Sequence, residues 1–203
     1  MAGAEDRVMT CTVMGIELYA GDLKGAARAV IDRALSGEGG YASLTGVHGL
    51  TLAQRDPGLR HALHEAWINF PDGAPVAWRQ RKNGTANAKR IAGPDLMPRV
   101  IDLGRERGLR HYLFGATPTV LERLERNLLE RYPGAQIVGT SSPPFRAMNA
   151  PEETAISTVT AIHSSGNHAR RWRSSRHPRG AASSTPTITN AIHGRAISPR
   201  IGK

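Results

Sequence analysis

Cysteine occurs once in this chain of 203 residues, at Cys11, which excludes an internal disulfide and any cysteine-built zinc cluster and suits a reducing compartment. The lone thiol sits in the apolar run 8–16 with no charged partner adjacent in sequence, so a buried structural cysteine is expected there rather than a nucleophile. Aromatic residues make up only 5% of the chain and hydrophobic residues 39%, which is low for a domain of this length. No apolar run approaches the roughly 20 residues needed to cross a bilayer. The start, Met1-Ala2-Gly3-Ala4-Glu5-Asp6, is acidic with no long apolar stretch behind it, which argues against a secretory leader. A cytoplasmic location is expected, with room for peripheral contact at the inner face of the cell membrane.

Acidic residues are missing from one region only. Residues 1–153 hold all 17 Asp and Glu and 19 of the 27 Lys and Arg, a net of +2. Residues 154–203 hold eight Lys and Arg, no acid, and no Leu, Met, Phe or Tyr. The overall charge of +10 is therefore mostly a property of the end of the chain and does not describe a basic face on the folded part. A stretch so poor in large aliphatic side chains cannot bury enough apolar area to offset the entropy of ordering its backbone, so 154–203 is expected to be a disordered Arg/Ser/Pro/His-rich tail behind an α/β domain of residues 1–153. Three explanations compete for the tail: an arm for nucleic acid or an anionic membrane, a plain solvated tail, or out-of-frame translation. Arg170, Arg171 and Arg173 around Trp172 could hold phosphates and stack a base, but the abrupt change of composition near residue 154 favours an aberrant end.

What is present over residues 8–140 is an alternation of short apolar runs with longer segments of helical spacing, the pattern of an α/β fold with an open, mostly parallel, Rossmann-like sheet and helices on both faces. Residues 8–19 read as a strand or hairpin. Asp22 starts a helix through Leu35, with Leu23, Ala26, Ala27, Val30, Ile31 and Ala34 on one face and Gly37, Gly39 and Gly40 to stop it. Residues 41–45 read as a strand, 48–55 and 58–66 as helical pieces broken at Asp56-Pro57, 67–70 as a strand, and 75–81 as the start of a helix. Gly93-Pro94-Asp95 opens the next helix, with Leu96, Val100, Ile101 and Leu103 as its buried stripe. Strand 110–114, helix-start signal Thr117-Pro118, a stripe of Val120, Leu121, Leu124, Leu128 and Leu129, and strand 136–140 complete the pattern.

The chemistry-bearing stretch is Asn69-Phe70-Pro71-Asp72-Gly73-Ala74-Pro75-Val76-Ala77-Trp78, which delivers a carboxylate onto a Gly/Pro turn directly after a short apolar strand. In an open α/β sheet the carboxyl ends of strands form the crevice where ligands bind, so Asp72 reads as a base or ligand anchor, or else as ordinary turn chemistry. A second polar strand end lies at Thr45-Gly46-Val47-His48, and a basic pair, Lys89-Arg90, closes a later connection. His48 by itself reads rather as a surface or helix-capping histidine, and Arg90 equally as a surface partner of Asp95. The turn at Gly115-Ala116-Thr117-Pro118 could present a helix start to an anion, though it lacks the fuller glycine fingerprint of dinucleotide folds and is a structural turn by default.

Taken in order, Thr45-Gly46-Val47-His48-Gly49 with Ala53-Gln54-Arg55-Asp56-Pro57, then 72–78, then Lys89-Arg90-Ile91-Ala92-Gly93-Pro94-Asp95-Leu96-Met97, then Gly139-Thr140-Ser141-Ser142-Pro143-Pro144-Phe145, resemble the WecG/TagA/CpsF glycosyltransferase family over roughly residues 12–150. The resemblance implies transfer of an N-acetylmannosamine-type or related sugar from a UDP donor to a lipid-linked acceptor at the cytoplasmic membrane face, with inversion and without an essential metal or other cofactor. It implies Asp72 as general base, Arg90 on the donor phosphates or sugar, Thr45 and His48 on sugar oxygens, and Gly115, Thr117, Thr140 and Ser141 on the loops facing UDP. Its partners are then the UDP-sugar and the lipid-linked glycan, with no nucleic acid; a homo-oligomer is left open. Many members carry Asn in this loop, where Val47 or a neighbour stands in this chain. A later Pro-Lys-Gln-Glu-like loop and a Phe-Asp-like segment are expected after Glu153 and are missing, so impaired activity is expected. The readings that compete are a noncatalytic nucleotide- or sugar-binding α/β module and nucleic-acid binding through the tail.

Overall fold

The computed structural model describes residues 8–143, so the expected boundary at 153/154 and the basic tail lie outside the described residues. The described residues are mixed α/β with six helices and open, mostly parallel strand pairs. Among the described residues the strands come as three two-stranded sheets. No helix of the described residues is long and apolar enough to cross a membrane. These residues divide into two compact units, 8–26 with 41–97, and 27–40 with 98–143.

The first unit opens with a hairpin of β1 (Thr10–Val13) and β2 (Ile16–Tyr19), paired antiparallel. Its two-residue turn places Met14 and Gly15 at φ 53° and 78°, the left-handed pair that matches the twist of hairpin strands. Cys11 is only half-buried, contrary to the expectation, because β1 pairs on one side and buries only Val13 fully. Helix α1 (Leu23–Leu35) begins where the Asp22 carboxylate accepts the Gly25 amide at 2.8 Å, which satisfies one of the unpaired donors of a helix start.

Strand β3 (Ala42–Thr45) then leads through α2 (Val47–Leu52) and α3 (Pro57–Glu65) to β4 (Ile68–Pro71), which pairs parallel with β3. Asp56 caps α3 by accepting the Leu59 amide at 3.0 Å, and Pro57 follows at a position where a missing donor costs little. Helix α4 (Ala74–Lys82) and the start of α5 (Gly93–Arg105) complete the unit. The core gathers Val13, Ile16, Leu18, Leu50, Leu63 and Val76 from hairpin and helices. β4 is buried throughout, and Phe70 stands edge-on to the Tyr19 ring with centroids 5.5 Å apart.

Two buried amides tie the hairpin to the rest. Asn69 donates to the Glu17 and Leu63 carbonyls at 3.0 and 2.9 Å, and Gln80 donates to the Tyr19 carbonyl at 2.8 Å. A buried polar side chain is tolerated when it is bonded, and these bonds join β2 to β4 and α4 without a ladder between them.

The second unit contains the remainder of α1 and α5, then β5 (Arg110–Phe114), α6 (Pro118–Arg131) and β6 (Gln136–Ser141). β5 and β6 pair parallel, with a register shift after His111. At the shift Gly139 faces Tyr112 so closely that an added Cβ would lie 2.6 Å from the ring, which explains glycine there. On α6 the buried set is Leu121 and Leu128 with Leu124 half-buried, whereas Val120 and Leu129 are exposed. The expected five-residue stripe is thus narrower, because spacings of three and four residues already fill the one contact line the helix makes.

Burial pushes the His111 imidazole below its ordinary 6.5, and its Nε2 has no hydrogen-bond partner among the described residues. A depressed folded value means the unfolded chain takes up the proton first, so the stability held above 6.5 is lost as pH falls through the lower, folded value. The melting temperature is therefore expected to drop on acidification below 6.5, and His111→Gln is expected to flatten that slope. Equal slopes in thermal melts of the two proteins would contradict the assignment.

Candidate functional site

The parallel register pairs Thr45 with Pro71, so the carboxyl ends of β3 and β4 stand level. The next residues, Gly46 and Asp72, are thereby side by side. The Asp72 amide donates to the Thr45 carbonyl at 3.0 Å, continuing the ladder one step past the strands. Gly73 follows at φ 146° and ψ 139°, a conformation open essentially to glycine alone, and its amide donates back to the Pro71 carbonyl at 3.2 Å. The backbone thus turns sharply out of a buried strand and leaves the Asp72 carboxylate at the rim, 41% exposed.

Arg90 reaches the same rim by a different route. The connection after α4 is pinned by buried Ala88, Ile91 and Ala92, and the Ile91 amide donates to the Pro71 carbonyl at 2.9 Å. The Arg81 guanidinium donates to the Ala88 carbonyl at 2.9 Å, and the Lys89 amide to the Gly21 carbonyl at 3.2 Å. Holding Ile91 against the end of β4 sets the preceding residue beside Asp72. Arg90 Nε lies 3.9 Å from Asp72 Oδ1, and Arg90 Nη1 lies 3.8 Å from Asp95 Oδ2, in the first turn of α5.

Both separations are too long for hydrogen bonds. The guanidinium is attracted to two carboxylates while its N–H donors stay uncommitted among the described residues. With side chains 52, 41 and 55% exposed, each pair contributes no more than about 1 kcal/mol. An arginine held this loosely is available to a more strongly charged or better aligned anion, such as a phosphate that can take two of its donors.

Thr45 is buried, and its hydroxyl is bonded to that of Ser43; its carbonyl is what holds Asp72. His48 is exposed on the first turn of α2, the short helix that starts at this strand end, and no hydrogen bond or ion pair among the described residues links it to Asp72 or Arg90. The expected set therefore converges in part: Asp72, Thr45 and Arg90 are joined by contacts, and His48 shares the loop.

Two further residues contribute to the rim. Asp95 stands with Asp72 on Arg90, where the residues alone suggested it as a rival partner. Gly46 is the other: a Cβ built on it would lie 2.8 Å from the Asp72 carbonyl oxygen, so any side chain must push the Asp72 turn away. Glycine beside a polar strand end is the signal that could have revealed this. Gly46→Ala is expected to destabilise the fold by about 1–3 kcal/mol and to lower turnover more than Gly49→Ala, whose added Cβ meets only the Thr45 methyl at 3.1 Å. Urea melts and turnover of both variants check this; equal effects would count against a fixed Asp72 turn.

In the second unit Gly115, Thr117, Thr140 and Ser141 gather at the carboxyl edge of β5 and β6. The Gly115 amide donates to the Ser141 carbonyl at 2.9 Å, and Thr140 pairs in register with Leu113. Gly115 and Ala116 carry φ of 114° and 56°, and the Thr117 hydroxyl caps α6 by accepting the Val120 amide at 3.4 Å. Ser142 donates to the Ala116 carbonyl at 2.7 Å. These bonds account for the turn, while Thr140 stays exposed at the edge.

A cleft in the first unit lies at the opposite end of β4, lined by Thr10, Glu17, His64, Trp67 and Asn69 among others. It includes none of the residues expected to act.

A family model described as the glycosyl transferase WecG/TagA/CpsF family matches residues 11–169 of the chain. No curated protein matches it.

Proposed function

Because the chain belongs to the WecG/TagA/CpsF family of glycosyltransferases, enzymes of cell-surface polysaccharide synthesis, we propose that it moves a hexosyl group of the N-acetylmannosamine type or a relative from UDP to the hydroxyl of a lipid-linked acceptor. The observation that carries the proposal is the Asp72 carboxylate at the end of a buried strand with the Arg90 guanidinium 3.9 Å away, a carboxylate and a cation at one rim. In the reaction the acceptor oxygen forms a bond to the anomeric carbon as its proton passes to an Asp72 oxygen. The bond from that carbon to the β-phosphate oxygen breaks, and its electron pair leaves with UDP. Single displacement from the face opposite the leaving group inverts the anomeric centre.

Negative charge grows on the departing diphosphate, and a cation already in place stabilises it without reorganisation. Arg90 has that role, and Asp95 keeps the guanidinium at the rim when no donor is bound. The Thr45 loop and His48 supply hydrogen-bonding groups for sugar oxygens. Gly115, Thr117, Thr140 and Ser141 are assigned to the nucleotide on the chemistry of their amides and hydroxyls. No metal or other cofactor enters the proposed steps, and peripheral work at the inner membrane face belongs to the same reading.

The test is a transfer assay with purified protein, a UDP-N-acetylhexosamine panel and a polyprenyl-diphosphate-linked amino sugar, followed by mass spectrometry of the lipid. One donor is expected to yield glycolipid together with free UDP. UDP release without glycolipid, or no binding of any donor, would discard the reading.

A further inference from the structure

Helix α4 has a sharply divided surface. Val76, Ala77 and Gln80 are buried, while Pro75, Trp78, Arg79 and Lys82 lie outward at spacings of three and four residues. Trp78 is 52% exposed, and Lys82 Nζ stands 5.9 Å from the centre of its ring. From Gly73 to Pro94 the chain carries Arg79, Arg81, Lys82, Lys89 and Arg90 and no acidic residue.

Cations in the last turn of a helix complement its dipole, which would account for Arg79 and Lys82 alone. It does not account for a large indole left in water beside them. A tryptophan flanked by lysine and arginine is the pairing favoured at the boundary of a bilayer, where the ring lies at headgroup depth and the cations meet lipid phosphates. The stems of Lys and Arg also follow such a surface while their heads remain solvated.

We propose that this face of α4 docks the protein on an anionic phospholipid surface, with Trp78 entering the headgroup layer and Arg79 and Lys82 on phosphates. The occupant is chosen by charge complementarity together with the apolar ring. The location also makes sense of the rim: α4 starts two residues after Asp72, and Trp78 is four residues into it, about 6 Å along the helix. Bringing that helix to the lipid brings the base to a lipid-borne hydroxyl, a point that rests on the transferase reading.

The experiment uses the full chain and needs neither donor nor acceptor. Sedimentation with phosphatidylcholine vesicles and with mixed phosphatidylcholine–phosphatidylglycerol vesicles is compared for the unaltered protein, for Trp78→Ala, and for Arg79→Gln combined with Lys82→Gln. Binding to the mixed vesicles is expected to exceed binding to neutral ones and to fall about fivefold for each cation removed, roughly 25-fold for the pair. Trp78→Ala is expected to weaken binding on both vesicle types. Mixed-vesicle binding unchanged in both variants would put the contact elsewhere, for instance in the eight cations of 154–203, and overturn the proposal. Tighter binding of single-stranded nucleic acid than of mixed vesicles, lost in the same variants, would overturn it too. Failure here leaves the transferase reading standing, and failure of sugar transfer with vesicle binding intact leaves this surface standing.

Discussion

Asp72→Asn is expected to lower the rate of glycolipid formation by roughly 10²–10⁴-fold, the range supplied by a positioned general base, and to leave donor binding in place. The substitution keeps the shape of the side chain and removes only its ability to take a proton. Because the backbone of Asp72, through the hydrogen bond its amide donates to the Thr45 carbonyl, shapes the turn, the strand ends are expected to stay where they are. Arg90 loses one of its two carboxylate neighbours and keeps Asp95, so UDP affinity measured by calorimetry is expected to hold or rise slightly. Asp72 is partly exposed, and its replacement is expected to shift stability by no more than about 0.5 kcal/mol. A variant that keeps its turnover would remove Asp72 from the mechanism, and one that loses donor binding as well would make it an anchor instead of a base.

Phe70→Ala is expected to cost about 3–5 kcal/mol, a large share of the roughly 5–15 kcal/mol by which a domain is stable. Phe70 is fully buried in a strand whose every residue is buried, and its ring stands at 68° to that of Tyr19. Truncation leaves a cavity between the hairpin and β4 that the surrounding strands cannot close without breaking the Asn69 and Gln80 bonds. The urea midpoint is expected to fall with the slope unchanged, and Phe70→Leu, which keeps most of the volume, to cost less than about 1.5 kcal/mol. A loss below about 1 kcal/mol for Phe70→Ala would mean that the core lies elsewhere.

The helices were legible because their ends are written locally. Asp22, Asp56 and Thr117 each accept an amide three residues on, and Pro57 and Pro118 occupy first-turn positions. The strands were legible to within a residue or two from short apolar runs between turn residues. Position across the fold was not, since it depends on bonds between residues far apart in sequence. Asn69 to Glu17 spans 52 residues and Gln80 to Tyr19 spans 61, and nothing in the local pattern marks either amide as a tie. The same limit explains Val120 and Leu129, whose apolar character predicts burial only if a neighbour covers that side of α6.

The candidate rim was half legible. Asp72 announces itself as a carboxylate between a buried strand and a glycine. Its closeness to Arg90, eighteen positions later, follows from the bond of Ile91 to Pro71, which no periodicity encodes. The residues alone offered Arg90 as a surface partner of Asp95, and the resemblance offered it as a cation for the donor; the structure shows the Asp95 pairing at 3.8 Å and adds Asp72 at 3.9 Å. An exposed side chain can satisfy two weak pairings at once because neither demands a fixed hydrogen-bond geometry.

The anomeric configuration of the transferred sugar tests the account most directly. Nuclear magnetic resonance of the glycolipid made from an α-linked UDP donor is predicted to show a β-linkage, the outcome of one displacement assisted by one carboxylate. A product that keeps the α-configuration would require a different course of reaction and contradict the role given to Asp72.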